Sequence, residues 1–257
     1  MKKKLLFGAL VLLSACSSPQ PEWKLVWEEE FDQTEINPDV WSKIPRGKSD
    51  WNKFMSPDDR CYDIKDGNLV LRGIVNDDLK KDSVPYLTGG IFTRGKRQFY
   101  GGKLEIRAKL DAGKSVWPAI WLMPENNKEP WPHCGEIDIM ERLNHDSIAY
   151  QTVHSHYSFD LKIDDPKHSS TAPINVDDYN TYGVEIYKDS IVFYVNGIHN
   201  FTYPKIETDK PGQFPFDKPW YLMLDMQIGG GWVGPASAED LPVEMKVDWV
   251  RYYQKNE

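Results

Sequence analysis

Three carboxylates lie within one six-residue stretch of the chain: Glu136, Asp138 and Glu141. Two isoleucines and a methionine separate them, which is typical of a strand with one face in a core and one face lined by acids. Glu136 and Asp138 are two residues apart and share a face, whereas Glu141 would point into the core of a regular strand. We therefore predict a β-bulge near Ile139 and Met140, which returns Glu141 to the carboxylate face.

Two carboxylates on one strand face can act as a nucleophile and a proton donor. With the bulge, the Cα atoms of Glu136 and Glu141 would lie roughly 13 Å apart. Long side chains leaning inward could then bring the carboxyl groups to about 5–5.5 Å, the separation that retaining cleavage of a glycosidic bond requires. Three acids this close cannot all ionise at their ordinary pKa, so at least one pKa should be raised. A solvated acidic face and a calcium site are the alternatives.

The segments that must position these acids have the pattern of β-strands. Residues 103–110 alternate strictly, with Leu104, Ile106, Ala108 and Leu110 on one face. Residues 243–252 alternate as well, which predicts Val243, Met245, Val247 and Trp249 on one face. Turn signals at Asp66-Gly67, Lys188-Asp189-Ser190 and Asn196-Gly197 separate further short strands. Helical periodicity is hard to find, so the pattern predicts an all-β sandwich or barrel.

The N-terminus has the features of a targeting segment. Residues 1–15 combine three lysines with a short apolar stretch and end before Cys16. This arrangement resembles a bacterial lipoprotein signal peptide, which implies a lipidated Cys16, a tether over residues 16–22 and one catalytic domain over residues 23–257. The implied location is the cell envelope, anchored in the outer membrane by lipid alone. An ordinary signal peptide is the alternative.

Charge and composition limit the partners. The net charge is −8, and cleavage of residues 1–15 with their three lysines makes it about −11. Such a chain repels polyanions, which argues against nucleic acid and weakly against a highly sulfated substrate. The 10 Trp, 13 Tyr and 10 Phe exceed what a core alone needs and suit a sugar-binding cleft. Cys61 and Cys134 could form a disulfide or be buried thiols, and no metal-ligand spacing is visible.

The chain resembles glycoside hydrolase family 16, the laminarinase-like group with the bulged Glu-x-Asp-x-x-Glu signature. Residues 136–141 carry this signature, and further matching segments follow in family order over about residues 25–253. These segments are Leu25-Val26-Trp27 to Glu30-Phe31-Asp32, Trp41, Asp66-Gly67-Asn68-Leu69, Tyr100-Gly101-Gly102-Lys103-Leu104-Glu105, Trp117-Pro118-Ala119-Ile120-Trp121 and Val247-Asp248-Trp249-Val250-Arg251.

The resemblance implies a β-jelly-roll sandwich of two curved antiparallel sheets with a concave substrate cleft. It also implies endo-acting, retaining cleavage, with Glu136 as nucleophile, Asp138 as supporting acid and Glu141 as acid/base. No cofactor is required, a structural calcium near Asp248 is possible in this family, and a monomer is expected. The implied sugar-binding residues are Trp117, Trp121, Trp131, His154 and Trp232. Core packing is an alternative for the first three tryptophans, and a buried structural role is an alternative for His154.

The late segment from Asp225 to Gly234 departs from the pattern of glucan-cutting members, which carry an Asn-Trp-Pro-Gly type loop there. With Arg142-Leu143-Asn144-His145 and residues 240–244, it is nearer to a gut-bacterial branch that cuts at galactose in poly-N-acetyllactosamine and mucin-type chains. We therefore expect an enzyme of the endo-β-1,4-galactosidase kind. An endo-β-1,3(4)-glucanase is the first alternative. A non-catalytic glycan-binding lipoprotein is the second, although such a protein would be expected to have lost one catalytic Glu.

Overall fold

A computed structural model of the chain describes residues 23–126 and 128–256. The predicted signal peptide, Cys16 and the tether lie outside the described residues. Sixteen strands and two short helical turns make up the regular structure in this part of the chain. In chain order the strands are β1 (Trp23–Glu29), β2 (Ser42–Lys43), β3 (Tyr62–Lys65), β4 (Asn68–Val75), β5 (Tyr86–Thr88), β6 (Gly90–Phe92), β7 (Gly102–Leu110), β8 (Val116–Pro124), β9 (Glu136–Glu141), β10 (Ile148–His154), β11 (Ser169–Pro173), β12 (Asn180–Ile186), β13 (Ser190–Val195), β14 (Ile198–Pro204), β15 (Trp220–Ile228) and β16 (Val243–Lys255). The turns are a 3-10 helix at Asp59–Cys61 and a π-helix at His156–Asp160.

The strands form two antiparallel sheets. The nine-stranded sheet has the order β14-β13-β12-β7-β16-β4-β3, with β1 paired to β16 and β5 paired to β4. The seven-stranded sheet has the order β11-β10-β9-β8-β15-β6-β2. One large apolar core joins residues of both sheets, among them Leu104 of β7, Ile139 of β9 and Leu224 of β15. This arrangement confirms the predicted all-β sandwich.

The alternation predicted for β7 is confirmed, because Leu104, Ile106, Ala108 and Leu110 are all buried. The hairpin prediction at Asn196-Gly197 is also confirmed. Both residues have positive φ, 53° and 73°, as a tight turn between β13 and β14 demands, and Asp66-Gly67 repeats this with 53° and 70°.

The prediction for β16 is wrong at its C-terminal half. The pairing with β7 shifts register between Val247 and Trp249, so that Asp248 is an extra residue on β16. After this bulge Val250 lies in the core and Trp249 does not, since Trp249 is only partly buried and stacks against Arg251. The adjacent apolar residues Trp249 and Val250 interrupt the alternation here, as Ile139 and Met140 do in β9, and the prediction overlooked them.

Strand β15 is buried along its whole length because both of its faces are covered. Leu222, Leu224 and Met226 point into the main core. Met223 belongs to a second apolar cluster on the opposite face, together with Ile44, Met55, Ala119, Trp121 and Tyr221. The segment that follows β2 covers this cluster, and Trp51 packs edge-on against Trp121 with ring centroids 4.9 Å apart. The outward face of the seven-stranded sheet is therefore partly walled in, which creates a cleft.

Of the two alternatives for Cys61 and Cys134, the structure supports buried thiols. No disulfide joins Cys61 and Cys134 in the part of the chain that the structure describes, and both side chains are buried. Among the described residues, no helix is long and apolar enough to cross a membrane.

Candidate active site

The predicted bulge in β9 is confirmed by its pairing on both sides. Against β10, Asp138 and Glu141 pair with Thr152 and Tyr150, so three steps on β9 match two on β10. Against β8, Trp121 pairs with Asp138 while the next residue, Ile120, pairs with Met140. Ile139 has no pairing partner on either neighbouring strand and is therefore the extra residue of the bulge.

The bulge places the acids of β9 on one face and its apolar residues on the other, as predicted. Ile137, Ile139 and Met140 are fully buried in the core between the sheets. The three acids line the cleft on the other face. Two adjacent apolar residues thus enter the core together, and this pair places Glu141 beside the other carboxylates.

The cleft has a volume of about 910 Å³ and crosses the outward face of the seven-stranded sheet. All five residues predicted to bind sugar line it together with the three acids. Its other lining residues are Ser49, Trp51, Ala119, Met123, Tyr150, Thr152, Phe159, Lys167, His168, Ser169, Ser170, Thr171, Tyr221, Met223 and Gln227. A cleft of this size with apolar walls and a few convergent acids has the character of a ligand site.

His154 of β10 connects the first two acids. Its Nε2 lies 3.2 Å from Asp138 Oδ2 and 3.8 Å from Glu136 Oε1. His154 is paired directly with Glu136 across the two strands, which fixes this arrangement. None of the ion pairs found in residues 23–126 and 128–256 joins the three acids to a lysine or arginine.

The third acid has a different environment. Glu141 is almost fully buried, and its Oε1 accepts a hydrogen bond of 2.9 Å from Trp117 Nε1. Trp117 in turn contacts Trp232 edge-on with ring centroids 5.6 Å apart, and Tyr150 contacts Trp232 at 5.5 Å. Glu141 therefore lies at an aromatic end of the cleft, beside Trp117.

Burial raises the pKa of all three acids. The pKa of Glu136 rises to about 8 through burial and the neighbouring Asp138 carboxyl, and His154 opposes the rise. The pKa of Asp138 also rises to about 8, again through burial, although its hydrogen bond with Glu136 opposes the rise. Burial and Asp138 raise the pKa of Glu141 well above its ordinary value. The cluster therefore retains protons near neutral pH and can supply a general acid.

A fourth acid, Asp225, lies beneath the cleft floor. It is fully buried and accepts hydrogen bonds from Trp121 Nε1 at 3.0 Å and from Gln227 Nε2 at 2.7 Å. Burial raises its pKa to about 7, which these two donors oppose. Trp121 is thus both a cleft-lining residue and part of the apolar packing, so the two interpretations left open for it both hold.

One wall of the cleft is built by two segments outside the sheet. Trp131 precedes β9 and packs edge-on against Phe159 of the π-helix, with ring centroids 4.5 Å apart. Trp131 also lies 5.9 Å from the ring of His154. It is 42% exposed, which excludes the core-packing alternative for this residue.

The surroundings of Asp248 do not fit calcium. Its carboxylate forms an ion pair with the guanidinium of Arg107, whose charge opposes a bound cation. Neither of the two clusters of candidate metal-ligating side chains among the described residues includes Asp248. A calcium ion there would have to displace Arg107, and the calcium prediction stays a prediction.

Sequence reasoning missed several cleft residues. Tyr150 and Thr152 alternate with His154 along β10, and this period of two could have revealed them. Trp51 and Phe159 lie in connecting segments, which carry no such signal. Asp225 stood out as a departure from the family pattern, but its contact with Trp121 depends on strand pairing between distant segments.

Comparison with known proteins identifies the family of the chain. The family described as "Glycosyl hydrolases family 16" matches residues 65–251. A keratan-sulfate endo-1,4-beta-galactosidase of Sphingobacterium multivorum is 39% identical over 247 residues, which cover 95% of this chain. The chain spans only 58% of the length of that relative.

Two solved structures with the same architecture are described as laminarinases. The laminarinase of Rhodothermus marinus superposes with a TM-score of 0.83 at 26% identity, over 92% of this chain and 99% of the other. The catalytic domain of an endo-1,3-beta-glucanase from Thermotoga petrophila RKU-1 gives 0.78 at 29% identity, over 93% and 100%. The jelly-roll prediction is confirmed. Because the family match covers most of the chain and the 39% identical relative aligns with nearly all of it, the chain belongs to glycosyl hydrolase family 16.

Proposed function

We propose that the chain is an endo-acting, retaining β-glycoside hydrolase in which Glu136 is the nucleophile, Glu141 the acid/base and Asp138 the supporting acid. The observation that carries this proposal is the bulge at Ile139, which brings all three acids to one cleft face. The long cleft with aromatic residues on both sides of the acids supports binding of several sugar units and cleavage within a chain.

The geometry supports a double displacement. Glu136 as carboxylate attacks the anomeric carbon, while Glu141 donates its proton to the departing glycosidic oxygen. This step breaks the glycosidic bond and forms a glycosyl ester on Glu136. Glu141, now ionised, then removes a proton from water, whose oxygen displaces Glu136 from the anomeric carbon.

Asp138 and His154 are placed to regulate the charge on Glu136. The hydrogen bond between Asp138 and Glu136 favours the ionised form of Asp138 and raises the pKa of Glu136, so Asp138 sets how readily the nucleophile gives up its proton. His154 Nε2, 3.2 Å from Asp138 Oδ2 and 3.8 Å from Glu136 Oε1, stabilises negative charge on this pair and so opposes the rise in the pKa of Glu136. The indole N–H of Trp117 does the same for Glu141 after it has lost its proton.

The stereochemistry of the product tests this mechanism. Proton NMR of a fresh digest of a β-linked substrate should show the β-anomer of the new reducing end first, before mutarotation adds the α-anomer. Initial appearance of the α-anomer would mean inversion and would contradict a glycosyl ester on Glu136.

We further propose that the favoured substrate is a host-type O-glycan or poly-N-acetyllactosamine chain cut at β-1,4-linked galactose. The 39% identical relative, a keratan-sulfate endo-1,4-beta-galactosidase, supports this, as does the departure of residues 225–234 from the glucanase pattern. Lys167 on the cleft wall offers positive charge to acidic substituents, against the negative net charge of the chain.

An endo-β-1,3(4)-glucanase is the second candidate, because the structural relatives are laminarinases with TM-scores of 0.83 and 0.78. Digestion of keratan, gastric mucin, laminarin and barley mixed-linkage glucan, followed by chromatography of the products, separates the two. Oligosaccharides from keratan or mucin alone support the first candidate, and products from the glucans alone support the second. Binding without any product would instead indicate a glycan-binding protein and overturn the enzymatic proposal.

We also propose that residues 1–15 are removed and that lipidated Cys16 anchors a monomeric enzyme in the outer membrane of the cell envelope. The order of lysines, apolar stretch and Cys16 supports this. Replacing Cys16→Ser should release the enzyme from the membrane fraction without loss of activity. Retention of this variant in membranes would argue against the lipid anchor.

A further inference from the structure

A second cluster of polar side chains lies behind the aromatic wall formed by Trp131 and Phe159. Asp160 Oδ2 is 2.8 Å from His156 Nδ1 and 3.2 Å from His133 Nε2. The two imidazole rings stack with centroids 4.2 Å apart. One nitrogen or oxygen from each of the three residues lies within 4.8 Å of the others.

The π-helix fixes two members of this cluster. His156 and Asp160 are four residues apart, and a reciprocal capping box between Ser155 and Ser158 holds the turn. The backbone of Gly212 lies against His156 so closely that a Cβ on Gly212 would be 2.8 Å from His156 Cβ. The close packing against Gly212 restricts the position of His156, which favours a preorganised binding site.

The third member comes from a distant segment. His133 lies in the turn before β9, where Cys134 N donates to Pro130 O at 3.2 Å and Gly135 N donates to Pro132 O at 3.0 Å. Lys218 Nζ donates to Cys134 O at 3.1 Å and ties this turn to a third segment. The convergence of His133 on Asp160 thus results from tertiary structure and not from local spacing.

We propose that His133, His156 and Asp160 form a binding site for a divalent transition metal ion, with zinc as the reference ion. Two imidazole nitrogens and one carboxylate oxygen are a set of three protein ligands that leaves the fourth tetrahedral position to water. The side chains of His133 and Asp160 are 44% and 37% exposed, so an ion can enter from solvent. Without a metal, His156 Nδ1 and Asp160 Oδ2 share a hydrogen bond, and His133 Nε2 approaches the same oxygen.

The ion would clamp the cleft wall. The two segments that carry the ligands also carry Trp131 and Phe159, which meet at 4.5 Å on the cleft side. A metal on the outer side joins the same two segments a second time. It should therefore fix the sugar-contacting face of Trp131 and lower KM, with little change in kcat. Only this consequence rests on the proposed glycosidase function, since metal binding itself does not.

Isothermal titration of the chelator-treated protein with zinc chloride tests the site. We expect one zinc ion per chain, and zinc at roughly 100 times its Kd should raise the Tm by at least about 5 °C. His133→Ala, His156→Ala and Asp160→Asn should each lower the zinc affinity at least ~10-fold, because losing a direct ligand costs no less than losing a supporting residue. Tm values measured with chelator show whether each variant is folded.

Two controls locate the ion. His145→Ala removes a surface histidine whose Nε2 faces Asp240 at 3.4 Å without a second histidine, and it should leave zinc binding unchanged. Glu136→Gln removes one ligand from the only other cluster in the described residues that could hold a metal, Glu136, Asp138 and His154, and it should also leave binding unchanged. The proposal is overturned if the wild type binds no zinc, if Glu136→Gln abolishes binding, or if folded His133→Ala binds zinc as tightly as the wild type.

Discussion

The two sheets carry the same acidic residue types in opposite electrostatic surroundings. On the nine-stranded sheet, Glu244 of β16 lies 2.8 Å from Arg72 and 3.1 Å from Lys246. Partial burial would raise its pKa, but these two cations outweigh burial and lower it. On the seven-stranded sheet, Glu136 and Glu141 are buried beside Asp138 and have a histidine and an indole N–H instead of such cations, and their pKa values are raised.

This difference separates structural acids from functional acids. Cationic neighbours keep an acid ionised and unreactive, and their contribution to stability is small at an exposed surface. Acids buried together without a cation hold protons at neutral pH, which weakens the fold and provides proton donors. The distinction comes from strand neighbours and not from the acid itself.

The largest effect should come from neutralising an acid of the cleft. Glu136→Gln and Glu141→Gln should each lower kcat/KM by at least about 1,000-fold on any polymer that the wild type cleaves, because each removes a group that reacts with the substrate. The measurement is the release of reducing ends. The matched control, Glu244→Gln, should retain wild-type activity, and full activity in either cleft variant would refute the assigned roles.

A smaller loss should follow from removing the hydrogen bond to Glu141. Trp117→Phe keeps an aromatic ring but deletes the N–H, which should lower kcat/KM by about 10-fold. Because this N–H opposes the rise in the pKa of Glu141, its loss should raise that pKa further. The alkaline limb of the kcat/KM profile should therefore move to higher pH, and a shift to lower pH would contradict the contact.

Neutralising an acid should change the free energy of unfolding at pH 8 in opposite directions on the two sheets. The pKa of Glu136 is about 8 when folded against an ordinary value of 4.5, so the folded protein binds more protons than the unfolded chain between these pH values. This contribution makes stability fall as the pH rises from about 4.5 to about 8. Glu136→Gln should therefore raise the free energy of unfolding by about 1–3 kcal/mol at pH 8 and leave it unchanged at pH 4.

The smallest effect is expected on the nine-stranded sheet. Glu244→Gln should lower the free energy of unfolding at pH 8 by about 1 kcal/mol or less, since its pair with Arg72 is partly exposed. Urea unfolding of both variants at pH 4 and pH 8 gives the comparison directly. If both variants change stability in the same direction at pH 8, the electrostatic contrast between the sheets is wrong.

The local sequence pattern predicted those features that follow from the two-residue side-chain period of a β-strand. The alternation of β7 and the displacement of Glu141 both follow from a side-chain period of two, so the sandwich and the bulge at Ile139 could be predicted. The bulge at Asp248 was missed although the adjacent apolar residues Trp249 and Val250 interrupt the alternation there, and the pairing with β7 locates the extra residue. The contacts of Trp51 and Asp225 with Trp121 join residues 70 to 104 positions apart, and no local signal reports them.

The assignment of Glu136 as nucleophile is the central claim, and chemical rescue by azide tests it most directly. With an activated β-glycoside of the preferred sugar, Glu136→Ala should regain turnover in azide and release the α-glycosyl azide, because azide occupies the space of the missing carboxylate and inverts the anomeric carbon. Glu141→Ala should instead release the β-glycosyl azide, since a glycosyl ester still forms on Glu136. A β-glycosyl azide from Glu136→Ala would contradict the account.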